Sequence, residues 1–401
     1  MIGLAFLATV INYLDRQTLA VAAPTLRDQF RMSNVDYSRI VFAFMLAYTI
    51  MNAVSGPLLD RLGTRIGYAL CMLWWSAAAL LHAFSTGVWS LAAYRFLLGM
   101  GEAGNWPAAV KLVAEWFPPG ERAMAAGIFN SGSAVGAILT PPLVAWIILR
   151  SGWRQAFCVV GIAGLFWLLA WGGLYRTPAA AQSEETRVTI SIRQLLRNRF
   201  VWMFTVSKVF VDPVWYFYIF WYPEYLKRVR HFDLASIGKY AWIPFLAAGF
   251  GNFLGGWVSA SLLRRGVALL LTRKVAVTLF VLLMTAAIPA VLTNDAWISI
   301  LWVSVAMIGY TGTLANMLSL PADVFPSSAV GSVYGFASMG SGFGGMLFGL
   351  LTGWVADHYS YTPLFVGFGL MPLVCAGILW ALLGPISPLA AEKDLGHIYV
   401  R

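Results

Sequence analysis

Apolar stretches of about 20 residues, the length a helix needs to cross a bilayer, follow one another along nearly the whole chain with short polar gaps between them. Residues 269–292, for example, carry charge only at Arg273 and Lys274. A transmembrane β-barrel would read as weak alternation instead. The chain is 60% hydrophobic and 11% charged, with a mean hydropathy of +0.73. Soluble domains carry about 25% charged residues, so a soluble enzyme, a disordered chain and a nucleic-acid module are all excluded. What fits is an all-α membrane protein. Twelve helices would share the 401 residues at about 33 each, loop included.

The spans read as roughly 1–24, 36–58, 66–86, 88–113, 121–149, 153–175, 199–227, 233–262, 269–292, 296–321, 327–355 and 360–384. The longest polar gap, 176–198, reads as a cytoplasmic linker with an amphipathic stretch near 190–197. It separates a six-helix half, 1–175, from a second, 199–384, which a cytoplasmic tail, 385–401, follows. With both termini inside, cytoplasmic loops hold 14 Lys and Arg and outer loops 9; the other four, 27 − 14 − 9, fall within spans. That bias favours the inside assignment and accounts for the net charge of +10 without a nucleic-acid partner. Residues 1–11 lack the basic start of a cleavable signal and run straight into a span, so a native N-terminal tail is expected to be trimmed or very short. Cys71, Cys158 and Cys375 lie far apart in apolar runs, and the four histidines are scattered, so neither a disulfide framework nor a metal site is expected.

An offset of 208 brings identical residues together from the fourth span through the sixth. Gly101 meets Gly309, Phe117 meets Phe325, Pro118 meets Pro326, Gly132 meets Gly340, Gly136 meets Gly344 and Gly161 meets Gly369. Two pseudo-symmetric six-helix bundles related by an axis along the membrane normal are a transporter arrangement, with the substrate near mid-membrane.

Ionisable groups inside spans cost about 2.5–3.5 kcal/mol on insertion scales and usually face a partner or a watery cavity. The first span carries Asn12-Tyr13-Leu14-Asp15-Arg16, and the fourth carries Arg95 and Glu102. Seven residues are two helical turns less about 20°, so Arg95 and Glu102 point the same way. Basic anchors for an anionic substrate, beside carboxyl groups that can take protons, are the functional reading; buried ion pairs, Asp15 with Arg16 and Arg95 with Glu102, holding helices together are the other. Lys208 and Asp212 are four apart at the start of the seventh span, and Lys111 and Glu115 four apart near the end of the fourth. Both spacings suit intrahelical pairs, the first structural or gating, with direct substrate contact as its alternative, the second marking a helix end. The turn Gly56-Pro57-Leu58-Leu59-Asp60-Arg61-Leu62-Gly63-Thr64-Arg65 reads as a structural and gating loop in which Asp60 caps a helix or pairs with an arginine. An aromatic run, Trp215-Tyr216-Phe217-Tyr218-Ile219-Phe220-Trp221-Tyr222, lies in mid-span, where part of it is expected to line a cavity. Tyr48, Asn130, Ser131, Ser133, Asn316, Ser319, Ser338 and Ser341 are polar positions on apolar helices. They suit a polyhydroxylated ligand or serve as interhelical contacts.

These residues carry a resemblance. The Gly56–Arg65 loop and Arg95-x-x-x-Gly99-x-Gly101 resemble signatures of the major facilitator superfamily. Asn12-Tyr13-x-Asp15-Arg16 together with Gly101-Glu102-Ala103-Gly104-Asn105-Trp106-Pro107 looks like its anion:cation symporter family. The segments Lys208-Val-Phe-Val-Asp212-Pro213-Val-Trp215, Glu115-Trp116-Phe117-Pro118 and Phe325-Pro326-Ser-Ser-Ala329-Val330-Gly331-Ser332 resemble bacterial hexuronate transporters. The likeness covers essentially the whole chain. It departs at Gly309-Tyr310-Thr311-Gly312-Thr313-Leu314-Ala315-Asn316, where those transporters tend to be more polar, and in the loop after the eighth span, which lacks the signature's aspartate.

The resemblance implies proton-coupled import of a sugar acid, a hexuronate such as glucuronate or galacturonate or a related aldonate, by alternating access across a bacterial inner membrane. Asp15 and Glu102 would carry the protons. Arg16 and Arg95 would bind the carboxylate or couple it to the proton, and Tyr48 would line the site. Tyr216, Tyr218, Trp221, Asn130, Ser133, Asn316, Ser338 and Ser341 are the remaining expected substrate contacts. Asp60, Arg61, Gly63, Arg65, Lys208 and Asp212 are the expected gating or structural residues. An exchanger or uniporter of another organic anion is the alternative. The expected partners are the substrate, protons and lipid, for a monomer without cofactor. No nucleophile–base set or phosphate loop suggests an enzyme, and the tail is too short for a receptor's signalling domain.

Overall fold

Helix follows helix, each ending where the sequence supplies a cap or a turn. The computed structural model describes residues 1–117, 119–176, 197–324 and 327–383. The expected linker, apart from Arg176, Arg197 and Asn198, and the expected tail lie outside the described residues, as do Pro118, Phe325 and Pro326. The helices are α1 (Ile2–Phe30), α2 (Asn34–Leu81), α3 (Val88–Glu102), α4 (Asn105–Trp116), α5 (Pro119–Ser151), α6 (Trp153–Leu174), α7 (Arg199–Arg230) and α8 (Leu234–Tyr240). They continue as α9 (Ile243–Arg264), α10 (Leu269–Met284), α11 (Ala287–Leu292), α12 (Ala296–Val324), α13 (Ser327–His358), α14 (Tyr361–Leu370) and α15 (Leu373–Leu382).

Local chemistry explains the joints. Arg31 takes a left-handed φ of 52° and ends α1. Two residues later Ser33 and Asp36 form a reciprocal capping box that starts α2. The second and third expected spans are one continuous element, bent at Gly63, whose φ of 74° and ψ of 159° leave the helical region at a position where glycine has no Cβ to clash. The fourth span is α3 and α4 joined by a tightened turn at Ala103 and Gly104, with the Gly104 N–H donating to Gly101 O at 3.2 Å. Such a turn in mid-span often marks a working hinge, and this one falls directly after Glu102.

Eight helical segments among the described residues are long and apolar enough to cross a membrane. Four more are long but less apolar: α1, α3 with α4, and α7 hold buried ionisable groups that lower their hydropathy, and the arm of α2 before Gly63 carries Asp36, Arg39, Asp60 and Arg61 near its ends. Eight and four make the expected twelve. Large apolar side chains stand outward, Leu169 at 73% and Phe253 at 79% exposed, a surface suited to hydrocarbon rather than water. Inside, hydroxyls bond to their own helix one turn back, as Thr18 does to Leu14 O and Ser207 to Met203 O, so no polar group is left facing lipid at these sites.

The chain forms two compact units. Of the described residues, the first holds 1–176, 216–245 and 345–361, and the second holds 197–215, 246–344 and 362–383. They cut across the two halves of the sequence, since two stretches of the second half pack with the first. Each unit nevertheless uses the repeated glycines alike. In the first, α5 presses on α1 so closely that a Cβ on Gly132 would lie 2.6 Å from Phe6 O, and one on Gly136 2.8 Å from Val10 O. In the second, α13 presses on α7, with 2.5 Å from Gly340 to Thr205 O and 2.6 Å from Gly344 to Val209 O.

Candidate substrate and proton site

Four of the expected groups converge in the first unit. Asp15, Arg16, Arg95 and Glu102 are each no more than 3% exposed. The ion pair that forms runs between helices. Arg16 donates to Glu102 Oε2 from Nε at 3.1 Å and from Nη2 at 3.0 Å, and its Nη2 also lies 3.4 Å from Asn12 Oδ1. Pairing within neighbours, Asp15 with Arg16 and Arg95 with Glu102, was one reading of the spacing. The approach of α1 to the joint between α3 and α4 instead gives Glu102 to Arg16. Arg95 is left with a long contact from Nη2 to Asp15 O at 3.5 Å, while its Nε and Nη1 have no hydrogen-bond partner. Asp15 Oδ2 and Glu102 Oε1 are buried without partners as well. The same is true of Asn12 Nδ2 and Gln17 Nε2 on α1. Buried polar atoms are nearly always satisfied, so the gathering of unpartnered atoms on Asn12, Asp15, Arg95 and Glu102 marks a candidate site.

Rings enclose the cations. The Arg16 guanidinium carbon sits 4.7 Å from the Tyr48 ring centroid, 5.2 Å from Tyr13 and 5.3 Å from Phe44. Tyr48 is thus beside Arg16. Tyr216, half-buried, packs against Gly345, and Trp221 meets Tyr37 edge-on at 5.0 Å. Tyr218 is 1% exposed and meets Tyr222 at 6.1 Å in a row of buried tyrosines. Asn130 is exposed, and the Ser133 hydroxyl donates to Asn130 O at 2.7 Å.

The second unit holds the other expected residues. Asn316 has little to offer a sugar: its Nδ2 donates to Gly255 O and Gly312 O at 3.1 and 2.9 Å, and its Oδ1 accepts from Ser259 at 2.7 Å and Arg273 at 3.4 Å. It ties helices together. Ser338 donates to Tyr334 O at 2.9 Å, and Ser341 is 7% exposed. Lys208 and Asp212 form the intrahelical pair at 2.6 Å, both buried, with Tyr310 Oη 3.5 Å from Asp212 Oδ1 and Trp215 stacked on the Tyr310 ring. Arg273 binds Asp323 at 2.7 Å.

Around the bend at Gly63, Arg61 and Arg65 are exposed, and Trp171 donates to Arg65 O at 2.9 Å. The side chain of Asp60 lies outside the described residues. Lys111 donates to Leu59 O at 2.9 Å, while Glu115 accepts from Thr64 at 2.7 Å and from Tyr175 at 3.3 Å. Both thus tie the end of the fourth span to its neighbours.

Two features escaped the sequence. Phe44 is one, since a phenylalanine on an apolar helix carries no signal. The other is a polar latch within the first unit. Arg27, in the last turn of α1, is 4% exposed and donates to Glu224 Oε1 at 2.6 Å, to Met32 O at 3.3 Å and to Asn34 Oδ1. Arg228 donates to the same Glu224 oxygen at 2.6 Å. Asp357 accepts from the Asn34 and Val35 backbone N–H groups at 2.8 and 2.7 Å, and Tyr37 donates to Phe220 O at 2.7 Å. These contacts tie residues 216–245 and 345–361 to the ends of α1 and α2.

Among the described residues, no cluster of three or more His, Cys, Asp or Glu could hold a metal. The chain matches the family model of the Major Facilitator Superfamily over residues 5–273 and 267–397 and belongs to that family, a multi-pass membrane transporter rather than an enzyme. It is 34% identical over 402 residues to the hexuronate transporter of Escherichia coli (strain K12), covering 96% of this chain and 93% of that one. It is 38% identical over 303 residues to the galacturonate transporter of Dickeya chrysanthemi, covering 71% of this chain and 88% of the relative. The fold is that of a D-xylose-proton symporter, with a TM-score of 0.79 at 14% identity over 97% of this chain and 99% of that one.

Proposed function

We propose that the protein imports a sugar acid, a hexuronate first and an aldonate second, together with protons, across a bacterial inner membrane with both termini in the cytoplasm. The observation that carries this reading is Arg95: a fully buried guanidinium with two nitrogens lacking partners, beside a carboxyl, Asp15, that is equally unsatisfied. A carboxylate satisfies the first through two parallel N–H···O bonds. A proton satisfies the second by removing its charge.

The order of events follows from the pairing. The substrate carboxylate docks on Arg95, and Tyr48 with the amides of Asn12 and Gln17 meets the hydroxyls. Asp15 takes a proton. Protonation of Glu102 weakens its hold on Arg16, which frees that guanidinium to follow the substrate anion. With both carboxyls neutral, charge no longer opposes the rocking of the halves, and substrate and protons leave inward. Lys208 and Asp212 act as a gating pair, and Asn316 as a structural residue. The sugar-acid specificity of the named relatives supports the substrate class.

Uptake of labelled glucuronate into proteoliposomes tests the reading. Accumulation above the outside concentration is expected only with an inward proton gradient. Accumulation that follows an internal organic anion and ignores the gradient would make the protein an exchanger, and equilibration without accumulation would make it a uniporter.

A further inference from the structure

We infer that Phe44 is a positioning residue whose ring face holds the Arg95 guanidinium in place for the substrate carboxylate. This rests on the assignment of Arg95 as the anion anchor. Its ring is the one shared by both buried cations, with its centroid 5.3 Å from the Arg16 guanidinium carbon and 5.9 Å from that of Arg95. Arg16 has two further rings, Tyr13 and Tyr48, and a carboxylate. For Arg95, Phe44 is the one cation–π partner among the described residues. The negative face of an aromatic ring attracts a cation, and a desolvated guanidinium with two unpartnered nitrogens depends on that attraction more than one already paired with an acid.

Phe44 is itself immobile. It is wholly buried, stacked on Tyr48 at 5.6 Å with 20° between the planes, and met edge-on by Phe220 at 6.2 Å. Its backbone is pinned by α3. Gly99, one turn beyond Arg95, comes so near that a Cβ there would lie 2.5 Å from Phe44 O. The ring therefore faces the Arg95 guanidinium from a backbone that has no room to move toward α3. An aliphatic side chain of equal volume would fill the space but supply no negative face. Arg95 would then be free to swing toward Glu102 Oε1, the unpartnered carboxylate oxygen two turns along the same helix.

Fluorination of the ring drains the negative face while hardly changing its size, so 4-fluoro-, 3,5-difluoro- and 3,4,5-trifluoro-phenylalanine at position 44 form a graded test, with Phe44→Leu as its end point. The KM for labelled glucuronate should rise step by step, by about 5- to 30-fold at the trifluoro variant, with Tm unchanged. Modification of Arg95 by phenylglyoxal in substrate-free protein, read by mass spectrometry, should speed up along the same series. A flat labelling series overturns the inference, whatever transport does. A flat KM series in a protein that transports glucuronate also overturns it. Wild-type protein that carries no sugar acid would defeat the functional proposal alone, because the labelling series would still decide the role of Phe44. If Phe44→Leu does not fold, the fluorinated series still gives the answer.

Discussion

Arg16 and Glu102, 86 residues apart, meet through two nitrogens on a single oxygen, Nε at 3.1 Å and Nη2 at 3.0 Å from Oε2, with both side chains sealed from solvent. The second oxygen, Oε1, has no partner. Glu102 is therefore held by one edge, with the other edge open to a proton.

Glu102→Gln should abolish proton-driven accumulation while leaving counterflow, since the amide oxygen can still accept from Arg16 but cannot change charge. Asp15→Asn should do the same with a smaller loss of stability, because no cation is paired to its carboxylate. Breaking a buried pair by removing one charge costs about 3–5 kcal/mol, so Glu102→Gln should lower Tm more than Asp15→Asn. The checks are gradient-driven uptake, counterflow and thermal unfolding. Full accumulation in either mutant removes that residue from coupling.

Arg95→Lys should weaken transport strongly, with at least a tenfold rise in KM, about 1.4 kcal/mol. Lysine keeps the charge but loses the planar fork and the flat face that lies against Phe44. Wild-type KM in this mutant would show that a point charge suffices.

The residues of the candidate site were legible in the sequence because membranes make charge conspicuous. Asp15, Arg16, Arg95 and Glu102 stood out as ionisable groups in apolar spans, and all four are buried together. Their pairing was not legible. Helical spacing fixes which residues of one helix share a face, whereas the partner of Arg16 is decided by how α1 meets the joint between α3 and α4. Asn316 was legible as a polar residue, but its partners, Ser259, Gly255 and Arg273, lie 43 to 61 residues away. The latch was hidden for a similar reason: Arg27 and Glu224 are 197 residues apart, and each alone reads as a charge at a helix end.

That latch should be weak as a source of stability and strong as a constraint. Glu224→Ala leaves the Arg27 charge buried and should destabilise by about 3–5 kcal/mol, Arg27→Ala should cost less because Arg228 still pairs with Glu224, and replacing both Arg27 and Glu224 by methionine should restore most of the loss. Thermal unfolding of the two single mutants and the double mutant checks this. A double mutant no better than the sum of the singles would show that the two charges act independently.

The repeated glycines divide into close and open pairs, which predicts opposite responses to the same substitution. Gly136 and Gly344 face backbone oxygens at 2.8 and 2.6 Å, so alanine there must push helices apart, at about 1–3 kcal/mol each. Gly127 and Gly335 carry the same 208 offset but have nothing within 4 Å of a built Cβ. Alanine there should be neutral or mildly stabilising, since it removes the freedom of glycine in a helix. Equal losses of Tm at all four positions would refute the distinction.

Substrate discrimination should follow from which orphans a ligand satisfies. Arg95 lacks partners at Nε and Nη1, while Asn12 Nδ2 and Gln17 Nε2 are donors still wanting an acceptor. Galacturonate offers a carboxylate to the first and hydroxyl oxygens to the others. Glucose offers hydroxyls alone and leaves a buried cation unpaired. Acetate offers a carboxylate alone and leaves the amides unmet, at about 1–3 kcal/mol for each one buried. In competition against labelled glucuronate, galacturonate should inhibit most, galactonate next, and acetate and glucose more than tenfold less. Glucose as effective as galacturonate would sink the role of Arg95 as anion anchor, and acetate as effective as galacturonate would sink the contribution of Asn12 and Gln17.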